Sequence, residues 1–204
     1  MRLTIFFRLA LLSFAWVGGA SANSELYAPC ATCHGEHAQG QRALAAPRLN
    51  HLDPVSLLLQ LEKFQRGWRG GEGASAAAQQ MAGSVALLPP EAAWPELVAW
   101  IADQDSDVSP VTVTGDRERG GKLYRQFCAA CHGPRAQGNL ALNAPRLAGG
   151  DDWYLLAQLH AFREGQRGRL REDRAGRQMR SMAAALPDDA ALADIVSWIR
   201  AQSE

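Results

Sequence analysis

Apolar residues along the chain recur at intervals of three and four, which is the spacing of one helix face. Two such runs occur in each half of the chain. The first run holds Leu57, Leu58, Leu61 and Phe64, repeated as Leu155, Leu156, Leu159 and Phe162; the second holds Leu97, Val98, Trp100 and Ile101, repeated as Ile195, Val196, Trp198 and Ile199. No sustained run alternates between apolar and polar residues as a half-buried strand does. The pattern therefore predicts an all-α fold.

The two sets of helices belong to an internal repeat with an offset of 98 residues. Several further segments match at the same offset without a gap: Gly35 with Gly133, Gln39-Gly40 with Gln137-Gly138, Ala46-Pro47-Arg48-Leu49 with Ala144-Pro145-Arg146-Leu147, and Leu88-Pro89 with Leu186-Pro187. A repeat of this length sets the architecture of a chain. We predict two tandem domains of like fold, residues 23–104 and 116–204, joined by a linker at 105–115 that begins with Asp105-Ser106-Asp107-Val108-Ser109-Pro110.

The predicted domains differ at the start of two helices. A helix fits residues 117–127 of the second domain, whereas the first offers only 23–29. Pro29 is expected to restrict that first helix further. Pro95, which stands where the second domain has Ala193, is expected to delay or kink the last helix of domain 1.

A segment of different composition precedes the first domain. Arg2 and Arg8 are followed by an apolar run over 9–17 and by Ala20-Ser21-Ala22. This is the layout of a secretory signal peptide, and the apolar run is shorter than the ~20 residues of a membrane-spanning helix. Residues 1–22 are therefore predicted to be a signal peptide, cleaved near Ala22 on export.

All four cysteines lie in two copies of one motif, Cys30-Ala31-Thr32-Cys33-His34 and Cys128-Ala129-Ala130-Cys131-His132. C-x-x-C-H is the pattern of covalent c-type haem attachment, and residues three and four apart share a helix face. A zinc site of four cysteines needs no histidine after each pair, and a dithiol oxidoreductase needs only one pair. The motifs therefore predict two haem c groups, with thioethers from the four cysteines and with His34 and His132 as axial ligands of iron. Disulfides are not expected.

The second axial ligand decides whether such an iron carries electrons or catalyses a reaction. Met81 and Met179 keep the offset of 98, and each lies 47 residues after its histidine. Met182 has Ser84 at the corresponding position, so it does not recur. Three histidines also lack a counterpart: His37, His51 and His160. We predict Met81 and Met179 as ligands, against the alternative that they only fill the core. His/Met ligation raises the reduction potential and fills the coordination sphere, which favours outer-sphere electron transfer.

Two further repeated positions are candidates to support the haems. A ligating histidine usually donates its other ring N–H to a carbonyl or carboxylate, and Pro47 and Pro145 are predicted to present that carbonyl. The alternative is a simple turn. Arg48 and Arg146 are predicted to pair with haem propionates, although solvated arginines are the competing interpretation.

Charge is distributed unevenly along the chain. Outside the predicted signal peptide there are 19 Lys and Arg and 21 Asp and Glu, which gives no reason to expect a nucleic-acid partner. Divided at residue 115, the two halves carry −5 and +3. Seven arginines fall within 163–180: Arg163, Arg167, Arg169, Arg171, Arg174, Arg177 and Arg180. They form either a solvated loop with propionate partners or a patch that steers an acidic redox partner.

Together these motifs resemble those of the dihaem class I cytochromes c, and most closely the cytochrome c4 family. The resemblance covers nearly all of the chain after residue 22, including both C-x-x-C-H-G units, both A-P-R-L segments and Met179 followed by Leu186-Pro187 and a final helix. It implies two class I cytochrome c domains with His/Met iron, and facing haems that exchange electrons. It also implies a periplasmic carrier that delivers electrons toward a terminal oxidase or reductase.

We therefore expect an electron-transfer protein, not an enzyme, that exchanges electrons with redox proteins: a donor complex and a terminal oxidase or reductase. Neither nucleic acid nor a small-molecule substrate is expected, and association with a membrane surface is left open. One alternative is the cytochrome subunit of a periplasmic dehydrogenase complex that oxidises sulfide or an alcohol. Another is a dihaem enzyme, such as a peroxidase or a thiosulfate-oxidising protein, which needs an open iron position.

Overall fold

The computed structural model of the protein describes residues 20–203. The predicted signal peptide, residues 1–22, lies almost wholly outside the described residues and stays a prediction. Within the described range the chain forms nine α-helices: α1 (Ala20–His34), α2 (Pro54–Gln65), α3 (Ala76–Val85), α4 (Trp94–Ala102), α5 (Arg117–Phe127), α6 (Ala129–His132), α7 (Asp152–Arg163), α8 (Arg174–Ala184) and α9 (Asp189–Arg200). No β-strand occurs among residues 20–203, and the predicted all-α fold is confirmed.

None of the helices in the described range is both long and apolar enough to cross a bilayer.

In each domain the first helix, which contains the haem motif in domain 1 and leads into it in domain 2, packs against the last helix. The ring of Tyr27 in α1 lies 4.5 Å from that of Trp100 in α4, and Tyr124 in α5 lies 4.4 Å from Trp198 in α9. Both tyrosines are buried at the centre of their domain's core. The remaining helices pack around these pairs: α2 contacts α3 and α4 in domain 1, and α7 contacts α8 and α9 in domain 2.

Helices α5 and α9 cross at a glycine. A Cβ atom on Gly120 would lie 2.0 Å from the backbone oxygen of Asp194, so no larger residue fits this crossing. The carboxylate of Asp194 is itself buried and accepts hydrogen bonds from the backbone N–H of Asp116 and from Arg119. These bonds hold the start of α5 against α9.

The first helix differs from its prediction. Helix α1 continues through Pro29 to His34, whereas in domain 2 the backbone leaves helical geometry at Cys128, between α5 and α6. Tyr27 and Cys30 pack into the domain 1 core, and such tertiary packing overrides the weak local preference against the helix. The expectation that Pro29 restricts the helix is therefore wrong.

The last helix of domain 1 does begin late. Helix α4 begins at Trp94 with Pro95 in its first turn, after a 3₁₀ turn at Glu91–Ala93. Helix α9 begins at Asp189, which is three residues earlier in the repeat. Proline is tolerated at the first positions of a helix because those N–H groups have no intrahelical partner.

The segment between α4 and α5 is anchored on domain 2. The buried carboxylate of Asp152 accepts hydrogen bonds from the N–H and hydroxyl of Thr112 and from the N–H of Val113. Arg200 donates to the carbonyl oxygen of Ser109 at 2.6 Å. Burial raises the pKa of Asp152, but the hydrogen bonds outweigh burial and lower it below its ordinary value.

Replacing Asp152 by Asn is expected to destabilise the protein by about 2–4 kcal/mol, because the amide offers one acceptor oxygen where these three donors and the N–H of Trp153 converge on the carboxylate. Since the folded-state pKa of Asp152 is lowered, its contribution is present above about pH 4 and is lost as the pH falls further. Urea unfolding at neutral and acid pH measures both effects. Asp189→Asn is the control, because that side chain is 80% exposed, and we expect less than about 0.5 kcal/mol. Equal losses of unfolding free energy in Asp152→Asn and Asp189→Asn would contradict the account.

Candidate haem sites

Each haem motif occupies the last turn of a helix. His34 ends α1 and His132 ends α6, and each is followed by a glycine with positive φ, 78° at Gly35 and 79° at Gly133. The loop beyond folds back onto the helix end, since the N–H of Gly40 donates to the carbonyl of His34 at 2.8 Å. The equivalent bond in domain 2 is also 2.8 Å long. In domain 1 the two cysteines and the histidine lie in one helix, whereas in domain 2 Cys131 and His132 lie in α6 and Cys128 directly precedes it.

The returning loop fixes the orientation of both histidine rings. Nδ1 of His34 lies 2.8 Å from the carbonyl oxygen of Pro47, and Nδ1 of His132 lies 2.9 Å from that of Pro145. Because a carbonyl only accepts, each Nδ1 carries the proton and donates it. Both rings are buried, and burial lowers the pKa of each histidine although the proline carbonyl opposes the shift. The neutral rings therefore keep the Nε2 lone pair for a metal.

Each motif is braced by a tyrosine that sequence analysis missed. The hydroxyl of Tyr27 donates to the carbonyl oxygen of Gly35 at 2.7 Å, and that of Tyr124 donates to Gly133 at 2.8 Å. Tyr27 stands three residues before its first cysteine and Tyr124 stands four before. A comparison that allowed one inserted residue would have paired them. The break at Cys128 accommodates the additional residue.

The predicted methionines lie on equivalent helices of the two domains, Met81 on α3 and Met179 on α8. Sδ of Met179 in α8 lies 3.5 Å from Nε2 of His132, which is the ring nitrogen that is free to bind a metal. Met81 in α3 packs with Phe64, Val85 and Trp94. Met182, the candidate without a counterpart, is 39% exposed. In domain 2 the fold therefore brings the predicted histidine and methionine together.

The first cysteine of each motif has the properties of a neutral thiol. Burial, followed by the neighbouring cysteine, raises the pKa of Cys30 to about 11 and that of Cys128 to about 12. Thiolate is the form that binds zinc and attacks disulfides, and these pKa values suppress it near neutral pH. Among residues 20–203, no group of three or more His, Cys, Asp or Glu side chains is arranged to hold a metal ion. Neither zinc binding nor dithiol exchange is supported.

The two predicted propionate partners lie in different surroundings. Arg48 is 8% exposed, and its guanidinium donates to Asn50 and to the carbonyl oxygen of Ser106 at 2.7 Å. Its backbone N–H donates to the carboxylate of Asp151, so Arg48 lies at the contact between the domains. Arg146 is exposed and donates to the nearby carbonyl of Ala148.

The arginines between 163 and 180 do not form one uniform patch. Arg163 pairs with Asp189 at 2.9 Å, and Arg169 donates to the carbonyl oxygen of Glu72 in domain 1. Arg167 is partly buried and points into the contact between the domains. The remaining four are exposed: Arg171, Arg174, Arg177 and Arg180.

The residues at both motifs fit a covalently bound haem. Two thiols directly before a histidine whose Nδ1–H is bonded to a carbonyl form the donor set of a c-type site. A thioether facing Nε2 in domain 2 provides a second axial donor of the kind found in cytochromes c.

Comparison with known proteins identifies the family. The Cytochrome c family model matches residues 117–203. Cytochrome c4 of Azotobacter vinelandii is 30% identical over 207 residues, which cover 97% of this chain and 96% of the relative. The chain belongs to the cytochrome c4 family. Membership of this dihaem family makes it an electron-transfer cytochrome c and not an enzyme.

Other members and neighbours of the cytochrome c4 family support the same fold. The structure of reduced recombinant cytochrome c4 from Pseudomonas stutzeri has a TM-score of 0.68 and 26% identity, and covers 90% of this chain and 98% of its own. A protein described as a thiosulfate dehydrogenase electron acceptor, from Stutzerimonas stutzeri strain A1501, is 32% identical over 76% of this chain and 72% of its own length. The tandem class I cytochrome c architecture is confirmed.

Proposed function

We propose that this chain is a periplasmic dihaem electron carrier with two His/Met-ligated irons. His34 and Met81 hold one iron, and His132 and Met179 hold the other. The observation that carries the proposal is the domain 2 geometry, in which Met179 Sδ faces His132 Nε2 at 3.5 Å while Pro145 holds Nδ1. The same residues recur in domain 1, where His34 makes the same bond to Pro47.

Each bound haem supplies one-electron chemistry, and the residues around it keep its iron from binding a substrate. The cysteine thioethers fix the position of the group, and the proline carbonyl holds the histidine ring in one tautomer. The methionine closes the opposite side. Since the histidine and the methionine would both bind the iron of a bound haem, electrons would enter and leave without a bond between a substrate and iron. This is outer-sphere transfer, and it requires docking of partner proteins.

A dehydrogenase of a sulfur compound is the proposed electron donor. Two curated relatives are described as thiosulfate dehydrogenase electron acceptors, at 32% and 29% identity. A solved thiosulfate dehydrogenase from Marichromatium purpuratum matches 83% of this chain with a TM-score of 0.64, although this chain spans only 35% of it. Export by the predicted signal peptide would place the carrier in the compartment of such a donor, and a terminal oxidase or reductase is the proposed acceptor.

Docking of an acidic partner at the exposed arginines of domain 2 has a direct kinetic test. Charge steering raises association rates and is screened by salt, with a Debye length of about 10 Å at 0.1 M. We expect the bimolecular rate of reduction by the dehydrogenase to fall as ionic strength rises. Replacing Arg171, Arg174 and Arg177 by Gln is expected to lower the rate at low salt several-fold.

The matched control replaces three other exposed arginines of the same domain, Arg117, Arg125 and Arg135. It removes the same net charge from a different part of the chain. If both triple variants slow the reaction equally, the effect is one of net charge and the docking site is wrong. A rate that does not depend on salt for the unmodified protein also contradicts the proposal.

A further inference from the structure

Two arginines and two glutamines at equivalent positions form one hydrogen-bonded ring across the domain contact. Arg69 donates to Gln60 of its own domain at 2.8 Å and to Gln158 of the other at 3.3 Å. Arg167 donates to Gln158 at 2.7 Å and to Gln60 at 2.8 Å. Each pair keeps the offset of 98. Each amide oxygen therefore accepts from both guanidinium groups, and the ring belongs equally to the two domains.

The ring lies next to the residues proposed to hold the haems. The guanidinium carbon of Arg69 lies 4.2 Å from the ring centre of Phe64, and that of Arg167 lies 4.4 Å from Phe162. Phe64 packs in turn in the cluster that contains Met81. One phenylalanine thus separates each cation from the interior of its own domain.

Positive charge in this region exceeds negative charge. Lys63 joins the two arginines, and among residues 20–203 the one carboxylate in hydrogen-bond contact with these three cations is Asp173, 2.8 Å from Lys63 Nζ. Burial, followed by the charge of Arg69, lowers the pKa of Arg167 to about 9. Burial raises the pKa of Tyr154, but the two arginines outweigh it and lower that pKa. The effect of Arg69 on the pKa of Arg167 and the effect of both arginines on the pKa of Tyr154 have the direction expected of a surplus of positive charge.

Hydrogen-bond donors are also in surplus. A guanidinium group has five N–H donors. Arg69, which is 7% exposed, donates to Gln60, Gln158 and Tyr154. Arg167 donates to the two glutamines. These bonds use three N–H groups of Arg69 and two of Arg167, and the other N–H groups of both guanidinium groups are open to a further acceptor. Buried charge and spare donors together call for an anion.

We propose that Arg69 and Arg167 form a shared carboxylate-binding site, in which each guanidinium binds a propionate of the haem in its own domain. The proposal rests on the dihaem function proposed above and names residues that the repeat alone did not single out. Arginine matches a carboxylate with two parallel N–H donors. Because the glutamine oxygens link the two guanidinium groups, the charge at one haem affects the other.

The ring raises both reduction potentials. A buried cation favours the reduced state of a nearby haem, which carries one positive charge less than the oxidised state. It also keeps the bound carboxylate ionised, since pairing lowers the carboxylate pKa. The potentials of the unmodified protein are therefore expected to change little between about pH 5 and pH 8, where an unpaired propionate would begin to protonate.

The test is spectroelectrochemical titration of the intact dihaem protein and of its Arg69→Gln variant. We expect both potentials to shift downward in the variant, and we expect them to become pH-dependent, rising toward low pH. Arg69→Lys retains the charge, so its two reduction potentials are expected to lie close to those of the unmodified protein. It also serves as the second variant if Arg69→Gln folds poorly. Arg66→Gln is the control, because Arg66 is exposed on the same chain segment over Trp68.

Three results overturn the proposal. The first is a folded Arg69→Gln protein with unchanged potentials. The second is a shift of one potential only, which would show that the two haems do not share the site. The third is a dependence of the unmodified protein's potentials on added acetate, which identifies a dissolved anion as the occupant. Failure of the proposed function is recognised separately, because the unmodified protein would then lack methionine ligation in its oxidised spectrum.

Discussion

Replacing Met179 by Ala is expected to halve the methionine-to-ferric-iron charge-transfer absorption of the oxidised protein and to let the reduced protein bind carbon monoxide at one haem. The reason is that Met179 Sδ faces His132 Nε2 in the domain 2 core, so alanine opens one axial position. The reduction potential of that haem is expected to fall, because the thioether favours reduced iron. Absorption spectroscopy with a carbon monoxide titration measures the first two effects, and a spectroelectrochemical titration measures the potential.

Met182→Ala is the matched control for this variant. The two methionines lie three residues apart on α8, but Met182 is 39% exposed and has Ser84 at the equivalent position of domain 1. We expect full charge-transfer intensity and no carbon monoxide binding. If Met182→Ala removes the band and Met179→Ala does not, the ligand assignment is wrong.

Replacing Cys30 and Cys33 together by Ser is expected to reduce covalently attached haem from two groups per chain to one, because serine forms no thioether. Domain 1 is expected to lose much of its stability as well, since a domain of about 80 residues has a marginal core without additional cross-links or a cofactor. Mass spectrometry under denaturing conditions counts the attached haem, and circular dichroism follows the helices.

The control substitution lies inside the same motif. Thr32 is exposed, and the second motif has Ala130 at its position. We expect Thr32→Ala to keep two covalent haems and the full helix content. A serine double variant that still carries two covalent haems would contradict the assignment of Cys30 and Cys33.

Sequence patterns predicted those parts of the sites that lie within one domain. The histidine and the proline carbonyl that binds its ring are 13 residues apart along the chain in both domains, and the methionine keeps its distance from the histidine. Such local relations recur at a fixed offset, so a repeat exposes them. The roles of Tyr27 and Tyr124 were not predicted, because one added residue before the second motif breaks the offset of 98.

Relations between the domains could not be predicted in this way. Arg69 and Gln158 are 89 residues apart and meet because the two domains face each other. Arg48 was assigned to propionates from its place beside Pro47, yet its side chain binds the linker at Ser106. The repeat indicates which residues are equivalent, but it holds no information on how the copies pack against each other.

The measurement that tests the central claim most directly is the oxidised absorption spectrum of the unmodified protein, taken with quantified haem, followed by carbon monoxide addition to the reduced form. Two His/Met-ligated irons predict charge-transfer intensity equal to two haems per chain and no carbon monoxide binding. An intensity equal to one haem, or carbon monoxide binding at either haem, would contradict the account of two closed electron-transfer sites.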